Sequence, residues 1–403
     1  MNPRVSGTAW RGLAGIVVVA LVAAACGTSA GTSPSAASSQ AAPSEAPSVA
    51  PTPVITATPP DQVTGALQVL EWGGYETPDF WIDFKNTYPK VDVSFVFGTT
   101  DADIRSQMKA GSTADLFHQY TGYIKLDVDD GLVAPIDTTK LKNWSKVPAA
   151  FQQIGQYNGK QYCVAWDWGF TSVMYRTDKV PAPIDSWAAL TDPTYKGHIS
   201  MWDDGPGAVT VSSYIHGYNE TNITPDQLTA IKAEWTAQKK LNRTYWESAG
   251  DLPPLFKSGE VTVAYAWQGD YATLIGEGVP VAYANPKEGR NSWVGVYCIN
   301  AKSQNYDLAL KFIDEKLAKQ TNVNLVDEYF YGSANGDVMA GINDPAQAST
   351  YTLASSGATP DLLTKTFSVN DPSILQHTNF TPDVTQDQID AWSQMWTEVK
   401  ASQ

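Results

Sequence analysis

The chain has 403 residues and carries 42 acidic against 27 basic side chains, a formal net charge of −15 at pH 7. That balance argues against nucleic acid or an anionic membrane surface as a charge-matched partner and suits a cationic ligand. The length exceeds one small domain and reads as two, once the N-terminal segment is set aside.

That segment begins with Arg4 and Arg11 ahead of the apolar run Leu13 to Ala25, too short to span a bilayer, and reads as a signal peptide over residues 1–25. Cys26 follows in "LVAAACGTS", which resembles a bacterial lipobox with Ala23 where Leu is usual. The resemblance implies cleavage before Cys26 and a lipid on its thiol; the competing reading is a plain secretory signal with an incidental cysteine. Residues 26–62 are almost wholly Ser, Ala, Pro, Thr and Gly, a tether with no periodicity that could build a core. The expected location is therefore extracytoplasmic, lipid-anchored to the bacterial cell membrane in the periplasm or at its outer face.

After the tether, Leu67 to Trp72 alternates as a strand. Thr77 and Pro78 then predict the cap and first position of a helix presenting Phe80, Trp81 and Phe84, and Val91 to Phe97 alternates again. Strand, helix and strand make a parallel pair with a right-handed crossover. Ligands gather at the carboxyl ends of such strands, and Trp72-Gly73-Gly74-Tyr75 lies there. In "VAWDWGF", Val164 to Phe170, strict alternation puts Trp166 and Trp168 on one face and Asp167 on the other. A capping box at Thr224 opens a helix with Leu228, Ile231 and Trp235. Glu260 to Trp267 reads as a strand and "QGDY" turns it into a helix from about Asp270, so Trp267 also stands at a carboxyl end. Leu308, Phe312 and Leu317 mark another helix, and Thr385 caps a last one with Ile389, Trp392, Trp396 and Val399 inward. Trp81, Trp235, Trp392 and Trp396, at helical spacing, are expected in cores. The alternation of strands and helices implies an α/β protein of two lobes.

Signs of catalysis and of cofactors are missing. The four histidines have no metal-ligand spacing, no G-x-S-x-G or G-x-G-x-x-G occurs, and "DVDDG" brings Gly131 one residue early for a calcium loop. Two acids meeting in a cleft would keep a secreted glycoside hydrolase as a rival. Cys163 and Cys298 either pair or stay as separate buried thiols, since spacing does not fix connectivity.

From about Leu67 onward, the ordered pieces "VLEWGGYETPDFWIDF", "DLFHQYTGYIKLDVDDGLVAPID", "SWAALTDPTYKGHISMWDD", "VAYAWQGDYATLI" and "ANPKEGRNSWVGVYCINAKSQN" resemble the solute-binding proteins of ABC importers, most closely the spermidine/putrescine-binding branch. The resemblance implies a periplasmic-binding-protein-like fold, with residues 63–169 and 295–340 as lobe 1, residues 170–294 and 341–403 as lobe 2, and a cleft between lobes joined by crossing hinge strands. It puts Trp72, Tyr75, Trp267 and Trp293 on aromatic wall positions, Asp204 on an acidic one and Tyr120 beside them. Trp166 and Trp168 would line the cleft floor, with Asp167 or Asp270 as a further acid. Three other family carboxylates are replaced here by Gly74, Gly207 and Gly295, which points to one cationic end on the ligand and not two. A betaine, a guanidino compound, an amino-acid derivative or another polyamine-like cation would fit, with a sugar as the rival because aromatic faces also stack on sugars. The return of "GVYCINA" beside "VAWDWGF" favours a Cys163–Cys298 bond near the hinge. A monomer that catalyses nothing, holds no cofactor and delivers its solute to an ABC permease and its ATPase is the expected working form.

Overall fold

The computed structural model describes residues 58–248, 250–342, 360–367 and 378–402. All lie in the compact unit Ala57–Gln403. Thirteen strands are described: β1 (Thr64–Trp72), β2 (Lys90–Gly98), β3 (Leu116–Tyr120), the hairpin β4 (Gln156–Tyr157) and β5 (Lys160–Gln161), β6 (Cys163–Arg176), β7 (Ile199–Trp202), β8 (Asn242–Trp246), β9 (Val263–Trp267), β10 (Val281–Tyr283), β11 (Arg290–Ile299), β12 (Gly332–Ser333) and β13 (Thr378–Phe380). The main sheet runs β2-β1-β3-β11-β6-β9-β7-β8. Its flanks, β2-β1-β3 and β9-β7-β8, are parallel, as crossover helices require, while the central strands β11 and β6 run antiparallel to their neighbours in this order and to each other; the short β13 adds to β11 in parallel.

β6 is buried along nearly its whole length, and its two ends enter different cores. Cys163 to Trp166 join a cluster built on Leu67, Phe80, Phe117 and Tyr297. Val173 to Tyr175 join one built on Trp187, Trp235, Phe256 and Trp396. A third, smaller cluster around Val326, Phe330 and Leu363 packs beside them. The relation of two parallel flanks through β6 and β11 makes the carboxyl ends of both flanks meet at the middle of the molecule.

The two capping boxes form at Thr224 and Thr385, opening helices Pro225–Lys239 and Gln386–Ala401. Thr77 does not cap through its side chain. The Phe80 N–H bonds instead to the Thr77 carbonyl at 3.1 Å, closing a 3-10 turn over Pro78–Trp81 before the α-helix Ile82–Thr87. Trp235, Trp392 and Trp396 are buried. Trp81 is not: it packs on the rim of the first core, its indole N–H donating to the Glu76 carbonyl.

Alternation also fails in the middle of β6. Gly295 pairs with Asp167 while Val296 pairs with Ala165, so Trp166 is the extra residue of a β-bulge. In consequence Trp166 and Asp167 meet the same two neighbours, Tyr75 and His118, where strict alternation would part them. Cys163 and Cys298 are bonded, at a register pair of β6 and β11 inside the first core.

Candidate ligand-binding cleft

Five strands of the two parallel flanks end at one cavity of about 470 Å³: Trp72 closes β1, Gly98 β2, Tyr120 β3, Trp202 β7 and Trp267 β9, and all five line it. Its aromatic walls are braced edge to face. Tyr120 stands between Trp72 (centroids 5.3 Å) and Trp293 (5.2 Å), and across the cavity Trp267 is set between Trp202 (5.4 Å) and Trp246 (4.7 Å). Such packing fixes ring faces before any guest arrives.

Two carboxylates carry the charge. Asp204 caps helix Gly205–His216, its Oδ2 accepting the Gly207 N–H at 2.6 Å, and burial pushes its acid up to about 7. The cap and the cleft-lining acid are therefore one residue. Asp101 opens helix Asp101–Lys109 and accepts the Tyr120 N–H at 3.2 Å; burial, then the charge of Asp204, push it up to about 7. Neighbouring Asp203 is already neutralised, by Lys400 at 2.8 Å and the Trp396 indole at 2.7 Å. Glu220, also on the wall, is pushed up to about 7 by burial and accepts from Thr210.

Of the residues expected from sequence, Trp72, Tyr75, Tyr120, Asp204, Trp267 and Trp293 come together on the cavity. Four do not reach it. Trp166 is fully buried, and the face of its ring is taken by the ammonium of Lys316, 3.2 Å from the centroid. Burial brings that ammonium down to about 7, and it also donates to the Phe80 carbonyl. Trp168 packs on Phe151 and Gly332 with its indole on the Ser333 carbonyl. Asp270 faces away, accepting the Gly250 N–H. Asp167 sits one layer behind the wall, on the hydroxyl of Tyr75. Cys26 lies outside the described residues.

Two of the three glycines, Gly295 and Gly74, are accounted for by what stands beside them. A Cβ on Gly295 would collide with Asp167 Oδ1 and His118, and one on Gly74, whose φ is +103°, with the Tyr329 hydroxyl. Asp101 was missed in the sequence because an acid in a capped first turn is ordinary dipole chemistry. Its position directly after the carboxyl end of β2 was the available signal.

A model of the family "bacterial extracellular solute-binding protein" matches residues 83–354, two thirds of the chain. The chain belongs to that family. This solute-binding protein is 26% identical over 291 residues to the putrescine-binding periplasmic protein PotF of Escherichia coli K12, covering 67% of this chain and 78% of the other. It is likewise 26% identical over 273 residues to the spermidine/putrescine-binding periplasmic protein of that organism, covering 67% and 77%. Among solved structures, the Tp0655 (TpPotD) lipoprotein of Treponema pallidum superimposes with a TM-score of 0.66 at 18% identity, covering 83% of this chain and 99% of the other. AgtB of A. tumefaciens R10, in complex with agropinic acid, gives 0.58 at 20% identity, covering 84% and 97%. The two-lobed periplasmic-binding-protein fold of these neighbours is thus the fold of this solute-binding protein, and β6 and β11 are its crossing strands.

Proposed function

We propose that this chain is the receptor of an ABC importer: it captures a small cation in the aromatic cleft, closes lobes that part near Gly169 and Trp293, and presents the closed form to a membrane permease whose ATPase supplies the energy. The observation that carries this reading is that Asp101 and Asp204 both line the aromatic box, each pushed up to about 7 by burial, with the charge of Asp204 raising Asp101 further. A cation placed there relieves both the desolvation and the repulsion, and each ring face adds about 0.5 to 2 kcal/mol. The names of the two Escherichia coli relatives, a putrescine-binding and a spermidine/putrescine-binding protein, support the same ligand chemistry.

Calorimetric titration against polyamines, betaines, guanidino compounds, amino acids and sugars tests it. A cation is expected to bind, and Trp267→Ala is expected to weaken that binding by about 2- to 30-fold with the fold kept, since the wall ring offers its face to the guest. Binding of sugars alone sinks the reading, and cleavage of one turns it to a hydrolase.

The same proposal places the protein on a lipid at Cys26, with residues 26–62 as spacer, because the small-residue run ahead of that cysteine ends in a lipobox-like pattern. Cys26→Ala is expected to release the protein from the membrane fraction and abolish incorporation of labelled fatty acid. Continued labelling would refute the anchor.

A further inference from the structure

An aromatic box alone is well suited to quaternary ammonium ions, which have no N–H to satisfy. The hydrogen bonds behind the wall point the other way. Tyr75 and Tyr120 both line the cavity, and both hydroxyls turn back to one oxygen: Tyr75 donates to Asp167 Oδ2 at 2.9 Å, and Tyr120 to the same atom at 3.4 Å. The two hydroxyls are 3.4 Å apart.

What holds Asp167 as an acceptor is His118. Its Nε2 faces Asp167 Oδ1 at 3.2 Å and its Nδ1 faces Glu71 Oε1 at 2.6 Å. Burial disfavours the imidazolium, but Glu71 and Asp167 outweigh that and push the ring up to about 9, so both nitrogens carry hydrogen at neutral pH. Glu71 is itself saturated, also accepting the Trp72 N–H at 2.9 Å and the Tyr297 hydroxyl at 2.5 Å. Asp167 Oδ1 thus faces an N–H of His118, which leaves Oδ2 to accept from the phenols, and burial keeps both cleft tyrosines protonated. Each phenol has one proton, and both protons are committed inward; what remains for a guest is lone pairs.

Resting on the cation reading above, we propose that Asp167 is a positioning residue that makes the cleft select cations bearing N–H donors, protonated amines or guanidinium groups, against quaternary ammonium ions. A permethylated guest would strip water from two phenol oxygens and give them nothing in return, and a site built to hydrogen-bond rejects an analogue lacking the donor far more strongly than a hydrophobic mismatch.

The test is calorimetry on the purified protein with putrescine, butylguanidine and the bis-trimethylammonium counterpart of putrescine. The N–H probes are expected to bind at least about 10-fold more tightly than the permethylated one. In Asp167→Asn, and separately in the double variant Tyr75→Phe/Tyr120→Phe, that ratio is expected to fall toward 1, with melting curves reporting that the fold is kept. The phenylalanine pair decides the matter if Asp167→Asn does not fold. A wild-type ratio within about twofold of 1, or a ratio that neither variant moves, overturns the inference and leaves the importer reading standing. Failure of the wild-type protein to bind any cation overturns both.

Discussion

Replacing Asp101 and Asp204 together by asparagine is expected to lower affinity for the cationic solute by about 100-fold or more, since losing one partner of a desolvated charge contact costs about 2 to 5 kcal/mol and each 1.4 kcal/mol is tenfold. Both acids ionise near 7 in the empty cleft, so at mildly acidic pH they are largely neutral. Binding a cation requires at least one of them charged. Affinity in the wild type should therefore rise as pH increases from about 5.5 to 8, and that rise should be flattened in the double variant.

The stability of the empty protein moves in the opposite direction. Each carboxylate has a folded value raised above its unfolded one, so the folded state binds more protons between the ordinary carboxylate range and about 7, and stability falls as pH rises through that window. The wild-type melting temperature should decline over it relative to the double variant, and the upward shift produced by ligand should grow. A pH-independent affinity, or a variant that binds as the wild type does, would show that the pair does not meet the ligand.

The parts of this site that could be read from sequence are those governed by rules of chain direction. Trp72 and Trp267 were reachable because a parallel strand followed by a helix delivers its last residue to the ligand edge, and nothing in the tertiary structure intervenes. Asp204 carried a signal for a helix cap, and the structure gives it both jobs. Trp166 was misplaced for a definite reason: period-two reasoning survives only while register is kept, and one bulged residue in β6 turned it into the core under Lys316. The Glu71–His118–Asp167 relay had no local signature at all, since its members lie 47 and 49 residues apart and their conjunction exists only once β1, β3 and β6 are stacked. The three glycines carried no signal for Asp101, which follows a different strand.

The disulfide carries the other large expected effect. Cys163 begins β6 and Cys298 lies one residue from the end of β11, 135 residues later, so the bond closes the whole intervening chain into a loop. A cross-link over a loop of that length restricts the unfolded chain by about 2 to 5 kcal/mol. Cys163→Ala/Cys298→Ala should accordingly melt about 5 to 15 °C lower, and the wild type in strong reductant should melt with it. Both cysteines sit within the first core, at the pinned end of the strand pair and away from Gly169 and Trp293, where the crossing strands pass the cleft. Ligand affinity at a temperature below both transitions should therefore be unchanged, separating the bond's role in stability from closure. In the unfolded, unreduced mature protein neither cysteine should react with a thiol reagent. Two reactive thiols, or a double variant that melts as the wild type does, would remove the bond from the account of how these strands are held.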